Sequence, residues 1–391
     1  MTSPQTPAAL PRIHWSAPDG DHVAGWRSEA GLAPPKRVVI ADDALTADAA
    51  YRLACEGTAL LWQGDFQNAR QLLTALARRC DRRRDGGGQS RPQRSGKPES
   101  GKAEAFHRHR LALGQRAQVL GKLLIPLDGD YAIPLRRAPD WRLACQEAWG
   151  EADGMPSVVS LRELLGLNGA HEWRRKGVEV AVLGARIHPW YGVFSPLRGE
   201  YLDLIAAAPL PATDLAFDIG TGSGVISALL AKRGIARIVA TDLDPRALAC
   251  ARDNLVRLGY DNQVEVVTAD LFPAGQAPLI VCNPPWVPAK PSAAVEWAVY
   301  DPDSRMLRGF LAGLRAHLTP TGEGWLILSD LAEHLGLRSR ETLMGWIAEA
   351  GLKVVEKRDI RPRHPKASDA HDPLALARQA EVTSLWRLVA A

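Results

Sequence analysis

From about Ala212 to the C-terminus the chain alternates short apolar runs with amphipathic segments, and this alternation constrains its fold more than any other feature. LAFDIG, RIVATDLD, QVEVVTAD and PLIVCNPPW have the apolar interiors of buried strands. Between the first three, GVISALLAKRG and PRALACARDNLVRLG carry apolar residues at helical spacing. The order strand, helix, strand, helix, strand, strand is that of a parallel α/β sheet with helical crossovers. GEGWLILSD adds a strand, ETLMGWIAEAG a helix, LKVVEKRDI a strand and EVTSLWRLVA a last one. No segment of clean helical periodicity has to lie between those last two, which predicts an antiparallel final strand.

Upstream the pattern changes. Residues 1–35 are rich in Pro, Ala and Gly without periodicity and read as a loose lead-in. RVVIADD reads as a short strand. TADAAYRLACEGTALLWQ, FQNARQLLTALARR, FHRHRLALGQRAQVLGKLL, SVVSLRELLGL and HEWRRKG space their apolar residues helically, so 36–176 is expected to be a smaller, mainly helical domain. Within it, DRRRDGGGQSRPQRSGKPESGKAEA, residues 81–105, has almost no large apolar side chain to repay ordering and is expected to be a disordered basic loop. VEVAVLGARIHPWYGVFSP reads as paired short strands, so 177–211 is expected to be a connecting β segment.

A chain of 391 residues is long enough for two domains. No apolar stretch approaches the roughly 20 residues of a membrane-spanning helix, and MTSPQTPAALPRIHW lacks the basic patch and apolar run of a secretory signal. A cytoplasmic protein without membrane contact is expected. The five cysteines are scattered, with no CxxC pair, so neither disulfides nor a metal site are expected. The formal charge of +4 allows a nucleic-acid partner without demanding one.

The chemistry lies at the ends of the apolar runs. FDIGTGSGVIS sets Asp218, Gly220, Thr221, Gly222 and Gly224 at a strand-to-helix turn, where glycine lets the backbone turn sharply and a ligand approach closely. The spacing is GxGxG, and Asp218 precedes the first glycine by two positions. A pyrophosphate would be repelled by that carboxylate, whereas an ammonium would be attracted. RIVATDLD ends in Asp242, placed to accept from ribose hydroxyls, with Asp244 a rival for that role, and VVTADLF ends in Asp270, within reach of an adenine amino group. Asp242 and Asp244 also suit the cap of the following helix, and Asp270 suits a turn. Three acids at successive strand ends beside a glycine loop favour a ligand carrying an amine, a ribose and an adenine.

VCNPPW, about 60 residues after the glycine loop, ends its strand abruptly, because proline removes a backbone donor and restricts the residue before it. What remains is an amide, two rigid carbonyls and an indole. If Asn283 Oδ1 and the Pro284 carbonyl accept the two N–H hydrogens of a planar nitrogen, that nitrogen is held with its lone pair aimed at an electrophile. Pro285 stiffens the turn, and Trp286 can stack on a flat amide or base.

The run Phe217–Trp286 resembles a class I S-adenosylmethionine-dependent methyltransferase. Its NPPW tetrad resembles the signature of enzymes that methylate planar nitrogens: release-factor and ribosomal-protein glutamine methyltransferases, adenine-N6 enzymes, and guanine-N2 enzymes of ribosomal RNA. The resemblance covers roughly residues 190–390 and implies a Rossmann-like class I sheet over 212–391. It further implies S-adenosyl-L-methionine as cofactor, with Asp218, Gly220, Thr221, Gly222 and Gly224 around its methionine part, Asp242 at the ribose, Asp270 at the adenine, and Asn283 also against it. Asn283, Pro284, Pro285 and Trp286 are then the catalytic set. GVFSPLRGEYL is similar to the segment that covers the site in glutamine methyltransferases, departing from their PRPETE wording, and VEWAVYDPDSRMLRGFLAGL to their acid, proline and helix after the tetrad.

The flanking segments point to a glutamine of a translation-related protein as substrate. The alternative is an exocyclic amino group of adenine or guanine in ribosomal RNA or another nucleic acid, favoured by the basic 81–105 segment and by RPRHPK, residues 361–366. Two other classes are a cofactor-binding module without turnover, which the intact tetrad argues against, and a nicotinamide-dependent oxidoreductase, disfavoured by Asp218 and the glycine spacing.

Overall fold

The computed structural model describes residues 10–86, 98–196, 199–291, 296, 298–362 and 374–391. It divides into two compact units, Met1–Ser95 with Arg108–His171, and Gly96–His107 with Glu172–Ala391.

The N-terminal unit is built on β1 (Arg12–Ala17), β2 (Gly20–Arg27), β3 (Val38–Ala41), α1 (Ala47–Cys55), β4 (Ala59–Trp62), α2 (Phe66–Gly86), α3 (Pro98–Leu120), β5 (Leu123–Leu127), α4 (Arg142–Trp149), β6 (Ser157–Ser160) and α5 (Leu161–Lys176), the last residues of α5 and the first of α3 belonging to the other unit. Its strands form one six-stranded mixed sheet in the order β1-β2-β6-β5-β4-β3. This sheet was not among the expectations for the unit, whose 36–176 stretch also carries the five helices α1–α5. ALLW in β4 is buried at every position, and LLIPL and SVVS nearly so. Runs this short, buried on both faces, show no alternation that would separate them from helix. The expected loose lead-in also supplies β1 and β2, an antiparallel hairpin whose Ile13, Ala24 and Trp26 enter the core with Leu61, Leu124 and Val158.

The 81–105 segment is helical at both described ends, since α2 reaches Gly86 and α3 begins at Pro98. Asp81 on α2 pairs with Arg116 on α3 at 2.9 Å, and that pair supports the longer helices. Residues 87–97, and 363–366 of the RPRHPK stretch, lie outside the described residues.

The C-terminal unit opens with the antiparallel pair β7 (Val178–Val180) and β8 (Ala185–Ile187). A helix follows, α6 (Glu200–Ala207), where only connecting strand was expected. Then come β9 (Leu215–Ile219), α7 (Val225–Lys232), β10 (Arg237–Asp242), α8 (Pro245–Leu258), β11 (Val264–Thr268), β12 (Ala277–Cys282), α9 (Arg305–His317), β13 (Leu318–Ser329), α10 (Leu331–His334), α11 (Arg340–Glu349), β14 (Leu352–Ile360), α12 (Ala375–Ala380) and β15 (Thr383–Ala390). The sheet order is β11-β10-β9-β12-β13-β15-β14, with β15 antiparallel to both neighbours. This is the expected Rossmann-like class I sheet with its antiparallel last strand.

Both faces of this sheet are covered, so its central strands are apolar throughout instead of alternating. Ala216, Leu279, Val281 and Ile327 face one core with Ile226, Leu229 and Leu230 of α7. Phe217, Ile219, Ile280 and Leu326 face the other with Phe310, Leu311 and Leu314 of α9. Among the described residues, no helix is long and apolar enough to cross a membrane.

Candidate active site

Ladder register brings the singled-out residues to one edge. Ile219 of β9 lies between Thr241 of β10 and Cys282 of β12, so the glycine loop, Asp242 and Asn283 leave the sheet side by side at the carboxyl ends of adjacent parallel strands. Open α/β sheets bind ligands at this edge, where the strand order reverses. Here the reversal falls between β9, which runs on to β10, and β12.

Asp218 is fully buried at the end of β9. Its Oδ2 accepts from Thr221 Oγ1 at 2.7 Å and from Ser227 Oγ and N at 2.6 and 3.1 Å. Its Oδ1 is buried and has no hydrogen-bond partner. Burial pushes the carboxyl up to about 6, with the Ser227 and Thr221 hydrogen bonds pulling the other way and the Asp242 charge adding to the rise. Thr221 itself points inward, its N–H on the Thr241 carbonyl at 2.8 Å, so its side chain braces Asp218.

Gly220, Gly222 and Gly224 all have positive φ, at 70°, 55° and 79°. At Gly224 a Cβ would stand 3.2 Å from Ala251 Cα, so the glycine permits the close packing of α7 on α8. At Gly220 a Cβ would collide with the Met306 methyl group, whereas Gly222 faces open space apart from Phe194 Cβ at 4.0 Å.

Asp242 accepts from Gly222 N on Oδ2 and from Asp244 N on Oδ1, each at 3.0 Å, and burial raises its pKa. Asp244 accepts from Arg246 N at 2.9 Å and caps α8. The two aspartates differ in their local duties: Asp242 braces the glycine loop and Asp244 starts a helix. Asp270 lies just beyond β11, largely exposed, with Arg305 Nη2 3.1 Å from its Oδ2.

The tetrad follows β12 directly. Pro284 is buried and Asn283, Pro285 and Trp286 are partly so. Trp286 Nε1 donates to Asn283 Oδ1 at 2.9 Å. Val287 then pairs with Tyr300, its carbonyl accepting from Asp301 N at 2.9 Å. The buried Asp301 carboxylate accepts from Met306 N and Leu307 N at 3.0 and 3.1 Å, so the acid and proline after the tetrad start α9.

Two further residues were not singled out individually by the sequence. Asn254 on α8 is buried, accepts from His188 N at 2.7 Å and donates to the Ser223 carbonyl at 3.0 Å, tying the segment before α6 to the glycine loop. Tyr201 on α6 is 1% exposed, and its hydroxyl stands beside the Asn283 side chain without strict hydrogen-bond geometry. Burial, with the Asp218 and Glu200 charges, holds its pKa well above the usual phenol value. Tyr201 lies in the GVFSPLRGEYL stretch, whose likeness to a covering segment named no single residue, on a helix that packs against β14, β15 and α7. Among the described residues, no group of three or more His, Cys, Asp or Glu is arranged to hold a metal.

The family model for Ribosomal protein L11 methyltransferase (PrmA) matches residues 203–284, from within α6 to Pro284. A release factor glutamine methyltransferase of Cereibacter sphaeroides is 33% identical over 172 residues, which are 40% of this chain and 59% of that protein. A tRNA1(Val) (adenine(37)-N6)-methyltransferase of Shewanella loihica is 29% identical over 187 residues, 45% of this chain and 74% of the relative. A ribosomal protein L11 methyltransferase of Symbiobacterium thermophilum is 42% identical over 66 residues, 17% and 22% of the two chains. The chain therefore spans 59% of the length of the glutamine-modifying relative. The expected likeness to methyltransferases is found, in relatives named for protein and for RNA targets.

Proposed function

We propose that this chain is an S-adenosyl-L-methionine-dependent N-methyltransferase whose acceptor is a planar nitrogen, specifically a glutamine side chain of a translation-related protein. The observation that carries the reading is the register that sets Asn283 beside the glycine loop at neighbouring strand ends.

The residues fit the cofactor. Asp218 Oδ1, buried and unpartnered, suits an ammonium. Gly220 and Gly222 offer backbone without a Cβ. Each oxygen of Asp242 has accepted one backbone N–H and keeps a lone pair for a ribose hydroxyl. Asp270 suits the adenine amino group, and Thr221 supports the site through Asp218. When bound, the cofactor supplies a methyl group on a positively charged sulfur.

The chain's task is to present the acceptor. An amide nitrogen is a poor nucleophile because its lone pair is delocalised. Asn283 Oδ1 accepts one of its hydrogens and the Pro284 carbonyl the other, which fixes the nitrogen and orients the lone pair. Pro285 keeps that carbonyl from moving. Trp286 stacks on the flat group, worth about 1–3 kcal/mol where the group is a base. No strong base is required, since the nitrogen loses its extra proton to water after transfer.

A second reading, transfer to an adenine amino group in RNA, draws on the broad Trp286 ring and on the adenine-N6 relative, 74% of which is covered. Either target places the work in the cytoplasm and leaves the N-terminal unit to select the substrate. Incubation with labelled S-adenosyl-L-methionine and cell extract is expected to label a macromolecule, with loss in Asn283→Ala. Label that survives ribonuclease and yields to protease supports glutamine, and the reverse supports RNA. Equal labelling by the Asn283→Ala variant overturns the proposal.

A further inference from the structure

The tetrad contains a contact that this mechanism does not use. Trp286 Nε1 lies 2.9 Å from Asn283 Oδ1. An indole N–H is a donor only, so the group facing it is the amide oxygen, and the contact decides which way the amide is turned. Between the two residues stand Pro284 and Pro285, whose φ is fixed near about −65°, so the indole returns to the asparagine along a path with little freedom. The ring is held too, packing against both cores of the sheet and against the cluster of Val287, Leu331 and Leu335.

A carbonyl oxygen has two lone pairs. The indole takes one and leaves the other for a substrate N–H. Without the indole the amide can turn over at almost no steric cost, because its oxygen and nitrogen are close in size. It would then present N–H donors to the N–H of the acceptor, and the two would repel. The other polar neighbour, the Tyr201 hydroxyl, both donates and accepts, so it tolerates either orientation and cannot choose between them.

We propose that Trp286 is a positioning residue whose indole N–H locks the Asn283 amide with its oxygen available to the nitrogen being methylated. This rests on the methyltransferase reading for what the oxygen does; the lock itself is a property of the chain alone. A phenyl ring at 286 keeps a flat stacking surface and loses the lock, so the indole adds orientation to a tetrad that otherwise supplies only shape and acceptors.

Two measurements test it. In the methyl-transfer assay Trp286→Phe is expected to lower kcat by about tenfold with KM within about threefold, the loss of one oriented hydrogen bond in the transition state. Added to Asn283→Ala, the same substitution is expected to change nothing further. Loss through KM alone, or full multiplication of the two effects, overturns the proposal. Independently, in protein labelled with 15N at its 12 tryptophans, without cofactor or substrate, the indole signal that disappears in Trp286→Phe is expected to move and to exchange with solvent faster in Asn283→Ala. If that signal is unmoved, the lock does not exist. If Trp286→Phe does not fold, Asn283→Ala alone decides: a single shifted indole signal with faster exchange supports the lock, and none overturns it. Should the wild-type chain transfer no methyl group at all, the functional reading fails while the indole signal still decides the lock.

Discussion

Asp218 and Thr221 share a 2.7 Å hydrogen bond that turns the loop's threonine inward and leaves the second carboxylate oxygen alone in the interior. With the carboxyl pushed up to about 6 by burial, the free protein carries it largely neutral at lower pH. A ligand ammonium requires the ionised form. Affinity for S-adenosyl-L-homocysteine is therefore expected to be level above pH 6 and to fall by up to about tenfold for each pH unit below it. Calorimetry between about pH 5 and 8 reads this directly, and a flat profile would remove Asp218 from the amine site.

The same carboxyl carries a stability cost. Its folded pKa of about 6 exceeds the ordinary 3.8, so its favourable contribution is present below 3.8 and lost as pH rises through 6. At about 1.36 kcal/mol for each unit between those values, the ionised group costs about 3 kcal/mol at neutral pH. Asp218→Asn is expected to be more stable than wild type at pH 8 by up to about 3 kcal/mol, with the gain gone near pH 4, while binding the cofactor product at least about tenfold more weakly. Urea titrations at both pH values check the sign.

Gly222 and Gly224 share a left-handed backbone and differ in what surrounds them. Gly222→Ala meets open space and is expected to cost about 1 kcal/mol, for the backbone conformation alone. Gly224→Ala drives a methyl group against the Ala251 backbone and is expected to cost about 2–4 kcal/mol. Denaturant melts should order them so; equal costs would mean that α7 and α8 part easily.

The sheet of 212–391 was legible because apolar strands alternate with helical segments in order, and β9, β10 and β12 lead to residues with a distinct chemistry, Asp218, Asp242 and Asn283. The N-terminal sheet was not. ALLW and SVVS are too short to show a period of two, and each adjoins a genuine helix whose spacing absorbs it. At the site, the acids and the tetrad could be read as residue types at strand ends. That Thr221 faces inward, that Asp244 caps while Asp242 braces, and that Trp286 donates to Asn283 depend on turn paths which no spacing rule fixes.

Asn254 was invisible for the same reason, yet it holds His188 N and the Ser223 carbonyl together. Asn254→Leu keeps the branched heavy-atom shape and strips both partners, leaving a backbone donor and acceptor unpaired. A loss of about 2–4 kcal/mol is expected. Cofactor binding should weaken as well, because the glycine loop loses its tether to the segment before α6. Unchanged affinity in a destabilised variant would separate that segment from the site.

The three aspartates at or just beyond the ends of β10 and β11 should separate cleanly, because each has a different second duty. Asp244→Ala removes the α8 cap and is expected to cost about 1 kcal/mol of stability with cofactor affinity unchanged. Asp270→Ala breaks an exposed pair with Arg305, expected to cost about 0–1 kcal/mol, while the adenine contact proposed for it predicts binding about tenfold weaker. Asp242→Ala frees the Gly222 and Asp244 N–H groups and removes the acceptor proposed for the ribose. It is therefore expected to lose about 1–2 kcal/mol of stability and about a hundredfold in affinity together. Thermal melts and calorimetry on the three variants assign the roles, and an Asp244→Ala variant that binds as poorly as Asp242→Ala would return the ribose to Asp244.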